Sequence, residues 1–254
     1  MAGQKKAKLK YIYIDAFSGA GQHISKSTGE FVPGSPLNAL NIPNKFHEYH
    51  FIDLNSRKLK ELMDEARKKT RDIFIYNGDC NDLLLSDVFP RAKFQDFKRA
   101  LCLLDPYGLH LDWEVIKTAG EMRSVEIFLN FPIMDINRNA LKKERDKVNE
   151  EQVARMNRFW GDDSWRKVGV GYEENPQQDM FGQSDDIKVS NEKFEEAFRK
   201  RLKEVAGFKF VPKPMPMRNS KNAVVYYLYF ASQNETGKKI VEAIFKKYSE
   251  RRDA

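Results

Sequence analysis

Four apolar runs in the first half of the chain each end at an aspartate. The four carboxylates are Asp15, Asp53, Asp79 and Asp105. If the runs are parallel strands, their carboxyl ends meet at one edge of a sheet, where open α/β sheets bind ligands. Neighbouring carboxylates repel one another, so their placement in a row favours a site for a polar or cationic ligand. Any one of these residues alone would indicate an ordinary helix cap or turn.

The first run predicts the beginning of a site for a nucleotide-shaped cofactor. Residues 11–14 have the aromatic and β-branched content of a buried strand. Gly19 and Gly21 follow, and glycine lets the backbone approach a ligand where a Cβ would collide. The chain has no Gly-x-x-x-x-Gly-Lys-Ser/Thr loop, so an ATP-type phosphate site is not expected. A sulfonium nucleoside suits the acidic edge better than a diphosphate does, although a glycine turn also occurs where nothing binds.

Strands and helices alternate around these residues. Strands are predicted at residues 11–14, 50–53, 73–79, 100–105 and 125–130, and helices at 35–41, 54–69 and 112–122. This alternation predicts an α/β fold with a doubly wound, mostly parallel sheet. Residues 223–232 are too apolar for an edge, so we expect a reversed strand inside the sheet, before a helix at 237–251. Residues 208–217 carry three prolines, which cannot donate ladder hydrogen bonds. We therefore expect them to lie on the outer side of the reversed strand.

Two segments interrupt the alternation. Residues 135–205 predict a helical and loop insertion within a single domain spanning 1–254, standing on the ligand edge and containing a flexible loop at 173–186. Residues 22–34 are long for a turn between a glycine loop and its helix. We expect a mobile lid there, with an ordinary surface loop as the alternative.

Seven short motifs extend over most of the chain. They are Asp15-Ala-Phe-Ser-Gly-Ala-Gly, Gly34-Ser-Pro, Phe51-Ile-Asp, Gly78-Asp-Cys, Leu104-Asp-Pro-Tyr-Gly-Leu, Asn130-Phe-Pro and Phe230-Ala-Ser followed by Gly237. Together they resemble class I S-adenosylmethionine-dependent methyltransferases and, within that class, the three-Cys-motif partner proteins. The resemblance implies a Rossmann-like sheet, S-adenosylmethionine as cofactor, and a radical-type partner protein with three cysteines.

Carried over position by position, the resemblance also implies a cofactor pocket. Its predicted residues are Asp15, Phe17, Gly19, Gly21, Asp53, Asp79 and Cys80. Asp15 and the two glycines would surround the methionine part of the cofactor. Asp53 would hold the ribose hydroxyls, and Asp79 with Cys80 would lie beside the adenine.

The run Asp105-Pro106-Tyr107 falls where nucleic-acid amino-methyltransferases carry Asp/Asn-Pro-Pro-aromatic. In that motif polar groups accept hydrogen bonds from the target amino group while the aromatic ring stacks on its base. We therefore predict a catalytic Asp105 with Tyr107 as the base platform. The predicted substrate contacts near them are Asn130, Phe131 and His110. The second proline is missing here and the aromatic comes one place early, and Asp-Pro is also a common strand exit.

Charge adds a second prediction about the substrate. The net charge of +7 and the pI near 9.2 permit nucleic-acid binding, as they do in many basic enzymes. The predicted basic rim consists of Arg138, Lys142, Arg201 and Arg218 with neighbouring cations at 199–221. Its partner would be DNA or RNA. A solvated helix face explains the same residues, and a non-catalytic partner, scaffold or nucleic-acid-binding module is the alternative function.

Several classes of protein are not expected. No apolar run approaches the roughly 18 residues of a membrane span, and a cytoplasmic location is predicted. The two cysteines, Cys80 and Cys102, fall in or beside predicted core strands, which indicates reduced, buried thiols. The four histidines show no metal-ligand spacing, so no metal site is predicted.

Overall fold

The computed structural model describes residues 8–24, 29–70, 72–139, 149–169 and 191–250. Its strands are β1 (Lys10–Asp15), β2 (Gln22–Ile24), β3 (Phe31–Pro33), β4 (Glu48–Asp53), β5 (Ile73–Asn77), β6 (Lys98–Leu104), β7 (Val125–Phe131), β8 (Met215–Arg218) and β9 (Val224–Ala231). Seven of these form one sheet in the order β5-β4-β1-β6-β7-β9-β8. The first five strands of this order are mutually parallel, which confirms the predicted doubly wound α/β fold.

The C-terminal strands also lie as predicted. β9 pairs antiparallel with β7 inside the sheet, and β8 pairs antiparallel with β9 at the outer edge. Along β9, three of the four consecutive residues 227–230 are buried. Because successive side chains point to opposite faces, this burial shows that both faces of the strand are covered. Of the predicted 208–217 strand, only residues 215–217 lie in β8, because the prolines before them remove ladder donors.

Helices cover both faces of the sheet. They are α1 (Ser35–Asn41), α2 (Ser56–Ala66), α3 (Cys80–Leu83), α4 (Trp113–Met122), α5 (Ile133–Asn139), α6 (Glu150–Trp160), α7 (Trp165–Gly169), α8 (Asn191–Glu204) and α9 (Glu235–Glu250). The main core joins alternate residues of β1, β6, β7 and β9 to α3, α4, α6 and α8. On the opposite face, Leu37 of α1 and Leu62 of α2 pack against Tyr13 of β1. Phe245 of α9 packs against Phe128 of β7 in a further small cluster.

The insertion is part of the main core, in addition to its predicted place at the ligand edge. Phe159 of α6 and Phe198 of α8 both pack against Phe131 of β7, at ring-centroid distances of 5.7 and 4.4 Å. All three rings are buried. The aromatic face seen in the sequence is therefore used to cover the sheet, while α5 and α6 also contribute residues to the ligand edge.

The segment 22–34 contains regular structure. β2 pairs antiparallel with β3 to form a small hairpin between β1 and α1. Residues 25–28 at its tip, and the predicted loop at 173–186, lie outside the described residues, so the lid stays a prediction. Cys80 and Cys102 are both free and buried. Among the helices described, none is long and apolar enough to cross a membrane.

Candidate functional site

The four predicted aspartates lie at one edge of the sheet on neighbouring strands. Asp15 and Asp53 are the last residues of β1 and β4, and Asp105 directly follows β6. Asp79 comes two residues after β5. Because β5, β4, β1 and β6 are consecutive in the sheet, the predicted acidic row is confirmed. We call the part formed by β5, β4 and β1 the β1–β4 edge, and the part formed by β6, β7 and the start of β9 the β6–β7 edge.

Asp15 is buried beneath the glycine turn. Its Oδ2 accepts a hydrogen bond from Tyr13 Oη at 3.2 Å, and its Oδ1 accepts one from the Phe17 backbone N–H at 3.3 Å. Burial raises the pKa of the Asp15 carboxyl to about 6, although hydrogen bonds from Ser35, Phe17 and Tyr13 lower it. Asp15 thus supports the turn from below, while Phe17 packs half-buried against the main core.

Asp53 holds the glycine turn from the neighbouring strand. Its Oδ2 accepts from the Gly19 N–H at 2.9 Å, and its Oδ1 accepts from the Asn55 N–H at 2.8 Å. Gly19 has φ +59°, and no described atom lies within 4 Å of where its Cβ would be. The backbone at Gly19 is therefore open to a ligand beside a half-buried carboxylate.

Gly21 has a different role from the predicted one. It is buried with φ +76°, and a Cβ there would lie 2.6 Å from Leu62 Cδ1 of α2. The absence of a side chain lets the hairpin pack against α2. Gly21 is thus needed for packing and backbone conformation, whereas Gly19 is the glycine with open space.

Two residues at this edge were missed by sequence reasoning. Leu54 follows Asp53 and is 73% exposed, so it offers apolar surface beside the carboxylate. The Asn77 side-chain amide donates to the backbone carbonyls of Asp53 and Leu54, both at 3.0 Å, and fixes this turn. An apolar residue directly after an acidic strand end was the available signal for Leu54.

Asp79 and Cys80 begin the short helix α3. The Asp79 Oδ1 caps the helix by accepting from the Asn81 N–H at 2.7 Å. The Cys80 side chain packs in the main core, where burial raises the pKa of its thiol to about 12. The thiol is thus directed away from the edge, which corrects its predicted place beside a ligand. Asn81 also accepts from the Asp112 N–H at 2.8 Å and links α3 to the chain before α4.

The β6–β7 edge has a cavity of about 310 Å³ built around Asp105 and Asn130. Asn130 Nδ2 donates to Asp105 Oδ1 at 2.5 Å. Asn130 Oδ1 is buried and has no hydrogen-bond donor among the described residues. Pro132, Arg138 and Tyr226 complete the opposite side of this cavity. The predicted Asp105, Pro106, Asn130 and Arg138 thus come together, and one buried acceptor oxygen there has no donor among the described residues.

Tyr107 lies on the other side of the Asp105 turn, in a second cavity. This cavity has a volume of about 290 Å³, and its walls include Tyr107, His110, Gln152 and Arg155. The Tyr107 side chain is 89% exposed. Its ring does not line the Asp105 cavity, so the predicted platform for the target base is displaced. The aromatic comes one residue earlier than in Asp/Asn-Pro-Pro-aromatic, and successive residues point in different directions.

Asp135 of α5 separates the two cavities and lines both. Its Oδ1 accepts from Asn139 Nδ2 at 2.7 Å. Gly108 has φ +62°, and a Cβ there would lie 2.8 Å from Asp135 Oδ2. Glycine therefore allows the Asp105 turn to lie directly against α5. Asp135, Gln152 and Arg155 were not identified from the sequence, because nothing local marks residues of two separate helices as neighbours.

Other predicted substrate residues are placed elsewhere. Phe131 is buried in the aromatic core, so Asn130 and Pro132 are the residues of the Asn130-Phe-Pro motif that line the Asp105 cavity. Arg201 is largely buried: its guanidinium lies over the Trp113 ring, donates to the Trp160 carbonyl and pairs with Asp162. This corrects its assignment to a basic rim, since these contacts use its donors.

Several other cations of the predicted rim have partners close by in the described structure. Arg218 donates to the Asn222 carbonyl at 2.9 Å in the turn between β8 and β9. Arg199 pairs with Glu195 and Glu196, and Lys200 lies near Glu204. Lys142 lies outside the described residues. Within the ranges described, no group of three His, Cys, Asp or Glu side chains is arranged to hold a metal ion.

Comparison with known proteins supports the fold. No family model matches the chain, and no curated protein matches its sequence. The crystal structure of protein LPL1258 from Legionella pneumophila is similar with a TM-score of 0.52 and 11% identity, covering 95% of this chain and 84% of that one.

Two methyltransferase structures are also similar at lower TM-scores. The methyltransferase domain of bacterial CtHen1 has a TM-score of 0.41 and 13% identity, covering 88% of this chain and 89% of that one. The CurJ carbon methyltransferase has a TM-score of 0.40 and 12% identity, with coverage of 92% and 51%. The strand order and the similarity to LPL1258 show that the chain has a Rossmann-like α/β fold with an antiparallel C-terminal strand pair.

Proposed function

We propose that this protein is an S-adenosylmethionine-dependent methyltransferase that modifies an exocyclic amino group of a nucleobase. The pairing of Asp105 with Asn130 carries this proposal. Because Asn130 donates to one Asp105 oxygen, the other Asp105 oxygen and Asn130 Oδ1 remain as acceptors beside a cavity of about 310 Å³. An exocyclic amino group has two N–H donors, and nucleobase-modifying enzymes recognise a base by hydrogen bonds of this kind.

The β1–β4 edge has the chemistry that this cofactor requires. Asp53 offers a half-buried carboxylate for the ribose hydroxyls, and the exposed Leu54 offers apolar surface for the adenine. Gly19 leaves open space for close backbone approach. The acidic row of Asp15, Asp53 and Asp105 favours a cationic ligand over a diphosphate. When bound, S-adenosylmethionine would supply an electrophilic methyl group.

The residues at the β6–β7 edge would prepare the acceptor nitrogen. Asp105 and Asn130 orient its two N–H groups and direct electron density toward the nitrogen. Asp105 is exposed and follows β6 directly, so its carboxylate is available to accept the proton that the methylated nitrogen must lose. Alignment of the nucleophile is the main contribution expected of the protein.

Calorimetry tests the cofactor part of the proposal. Wild type, Asp53→Ala and Asp64→Ala would be titrated with S-adenosylmethionine and S-adenosylhomocysteine. Asp64 is an exposed carboxylate on α2, about 12 Å along the helix from its start, and serves as the matched control. We expect Asp53→Ala to lower affinity about 100-fold, since hydrogen bonds to charged groups contribute about 1.5–3 kcal/mol. Asp64→Ala should bind like wild type, and failure of folded wild type to bind contradicts the proposal.

A non-catalytic partner or scaffold is the second candidate function. Three residues on one stripe of α9 are large, apolar and exposed, namely Ile240, Ile244 and Tyr248. Exposed apolar groups of this kind are common at protein interfaces. On the basis of the resemblance to three-Cys-motif partner proteins, we propose a radical-type protein with three cysteines as the partner. Absence of cofactor binding, together with co-purification of such a protein lost on Ile244→Asp, would favour this function.

A further inference from the structure

We infer that the cavity beside Tyr107 binds the nucleotide next to the target nucleotide, so that the substrate is a single-stranded polynucleotide segment. This inference rests on the proposed function, because the target base is assigned to the neighbouring Asp105 cavity. Three features of the second cavity support it separately, namely its geometry, an acceptor with no described donor, and its charge.

The two cavities are adjacent and similar in size. Their volumes are about 310 and 290 Å³, near the lower end of the range of about 300–1,000 Å³ for small-molecule sites. Each therefore suits one base-sized group. Asp135 lines both, and the Asp105 turn lies between them. Two groups joined by a short linker can occupy both cavities, as successive nucleotides of one strand would.

Tyr107 provides the surface on which a base would stack. Its side chain is 89% exposed, although it lies within the edge that carries the candidate site. Stacking on an aromatic side chain is the usual means by which proteins hold unpaired bases, and it tolerates any base. The displaced aromatic thus gains a role on the neighbouring nucleotide instead of the target base.

A hydrogen-bond chain prepares an acceptor in the same cavity. Asn139 Nδ2 donates to Asp135 Oδ1 at 2.7 Å, and Gln152 Nε2 donates to Asn139 Oδ1 at 3.2 Å. Because the chain begins at a carboxylate, it fixes the orientation of both amides. Gln152 Oε1 is then a buried acceptor with no donor among the described residues. An N–H on a base edge would satisfy it, and leaving such a group unpaired is unfavourable.

The charges separate the positions for bases from those for phosphates. Arg138 lines the first cavity and Arg155 the second. Arg155 pairs with Glu151 on the surface of α6, and exposed pairs of this type contribute little, so Arg155 can exchange this partner for a phosphate. Asp105 lines the first cavity and Asp135 lines both, so these carboxylates repel phosphate from the space for the bases. This arrangement fits a strand with its backbone toward the arginines.

Fluorescence anisotropy with labelled oligonucleotides tests the inference. The probes are fluorescein-labelled tetranucleotides of mixed sequence, as single-stranded RNA and DNA, with unlabelled nucleoside monophosphates as competitors and S-adenosylhomocysteine present. The variants are Tyr107→Ala, Arg155→Ala and Gln152→Ala. Arg158→Ala is the matched control, because Arg158 lies on the same helix, is exposed and lines neither cavity. Thermal unfolding checks that each variant is folded.

We expect a tetranucleotide to bind at least tenfold more tightly than a monophosphate. Tyr107→Ala and Arg155→Ala should each weaken tetranucleotide binding about tenfold, with a smaller loss for Gln152→Ala. Monophosphate binding and Arg158→Ala should be unaffected. Tighter binding of RNA or of DNA supports the inference equally and identifies the sugar that is recognised.

Two results would overturn the inference. One is equal affinity for monophosphate and tetranucleotide, which would mean that a single nucleotide fills the site. The other is tetranucleotide binding that the cavity variants leave unchanged. Cofactor calorimetry on the same preparations separates this failure from that of the proposed function, since cofactor binding and its dependence on Asp53 would persist if only the neighbouring-nucleotide inference is wrong.

Discussion

The two halves of the site edge differ in how their acceptor oxygens are paired. At the β1–β4 edge the carboxylates already accept hydrogen bonds from the chain itself. The three residues are Asp15, Asp53 and Asp79. At the β6–β7 edge, Asn130 Oδ1 and Gln152 Oε1 have no donor within the described structure, and Tyr107 is largely exposed. The first edge is preorganised by its own backbone, whereas the second presents unpaired groups to a ligand.

The difference indicates how each edge would contribute to the free energy of ligand binding. A preformed turn reduces the ordering that binding requires, so the β1–β4 edge suits a ligand of fixed structure. Unpaired buried acceptors instead penalise any ligand that lacks matching donors, so the β6–β7 edge suits discrimination between substrates. The comparison therefore assigns a constant ligand to the first edge and a selected one to the second.

The largest expected effect separates the two edges by their functions. Asp105→Ala should lower methyl transfer about 1,000-fold, because it removes both the orienting acceptor and the proton acceptor. Its affinity for S-adenosylmethionine should remain within about twofold of wild type, since the Asp53 turn is untouched. Labelled-methyl incorporation into total RNA and DNA, with calorimetry in parallel, measures both. Equal loss of cofactor affinity would show that the edges do not act separately.

The next effect concerns the buried carboxylate at the β1–β4 edge. Burial raises the pKa of folded Asp15 from its ordinary value of 3.8 to about 6. The folded state therefore holds more protons between about pH 4 and pH 6, and the Asp15 contribution to the free energy of unfolding falls as pH rises. Relative to Asp15→Asn, wild type should lose at most about 3 kcal/mol from pH 4 to pH 7.

Urea unfolding of both proteins at each pH measures this difference. Burial lowers the pKa of His50 to about 4, so its titration falls in an overlapping window. The contribution of His50 cancels when wild type is compared with Asp15→Asn, because His50 is present in both proteins. A difference that grows in favour of wild type with rising pH would mean that folding lowers the pKa of Asp15, contrary to the structure.

A smaller effect tests the close packing at the β6–β7 edge. Gly108→Ala places a methyl group 2.8 Å from Asp135 Oδ2, whereas Gly207→Ala, also at positive φ, meets no described atom within 4 Å. Both should lose about 1 kcal/mol of stability through backbone strain, and Gly108→Ala about 1 kcal/mol more through crowding. Thermal unfolding measures the pair. Equal losses would show that the Asp105 turn moves freely away from α5.

The smallest expected effect tests the proposed contact between Leu54 and the adenine of the cofactor. Leu54→Ala should weaken S-adenosylmethionine binding about fivefold, because part of its exposed side chain would be covered by the adenine. Ile240→Ala removes a similar exposed apolar side chain on α9 and should leave the affinity unchanged. Calorimetry compares the two. Unchanged affinity in Leu54→Ala would place the adenine elsewhere.

The elements of the β1–β4 edge were predictable because each is encoded locally. A β-branched or aromatic strand, an acid and a glycine turn occupy consecutive positions, and the parallel alternation with helices follows from short spacings. The prediction of a reversed β9 likewise relied on local apolar content and on the prolines before it. The roles of Gly21 and Cys80 were not visible, since α2 and the main core determine which way each position faces.

The α/β alternation, the acidic row and the position of Asp105 at a strand end were predictable from the amino-acid sequence alone. The packing of distant segments places Asp135 between the Asp105 cavity and the cavity that holds Gln152, holds Arg201 against Trp113, and puts Tyr107 in that second cavity. The physical reason is the sequence distance over which each kind of interaction acts. Strand and turn preferences act between sequence neighbours, whereas the direction of a side chain at the β6–β7 edge depends on helices packed from distant segments.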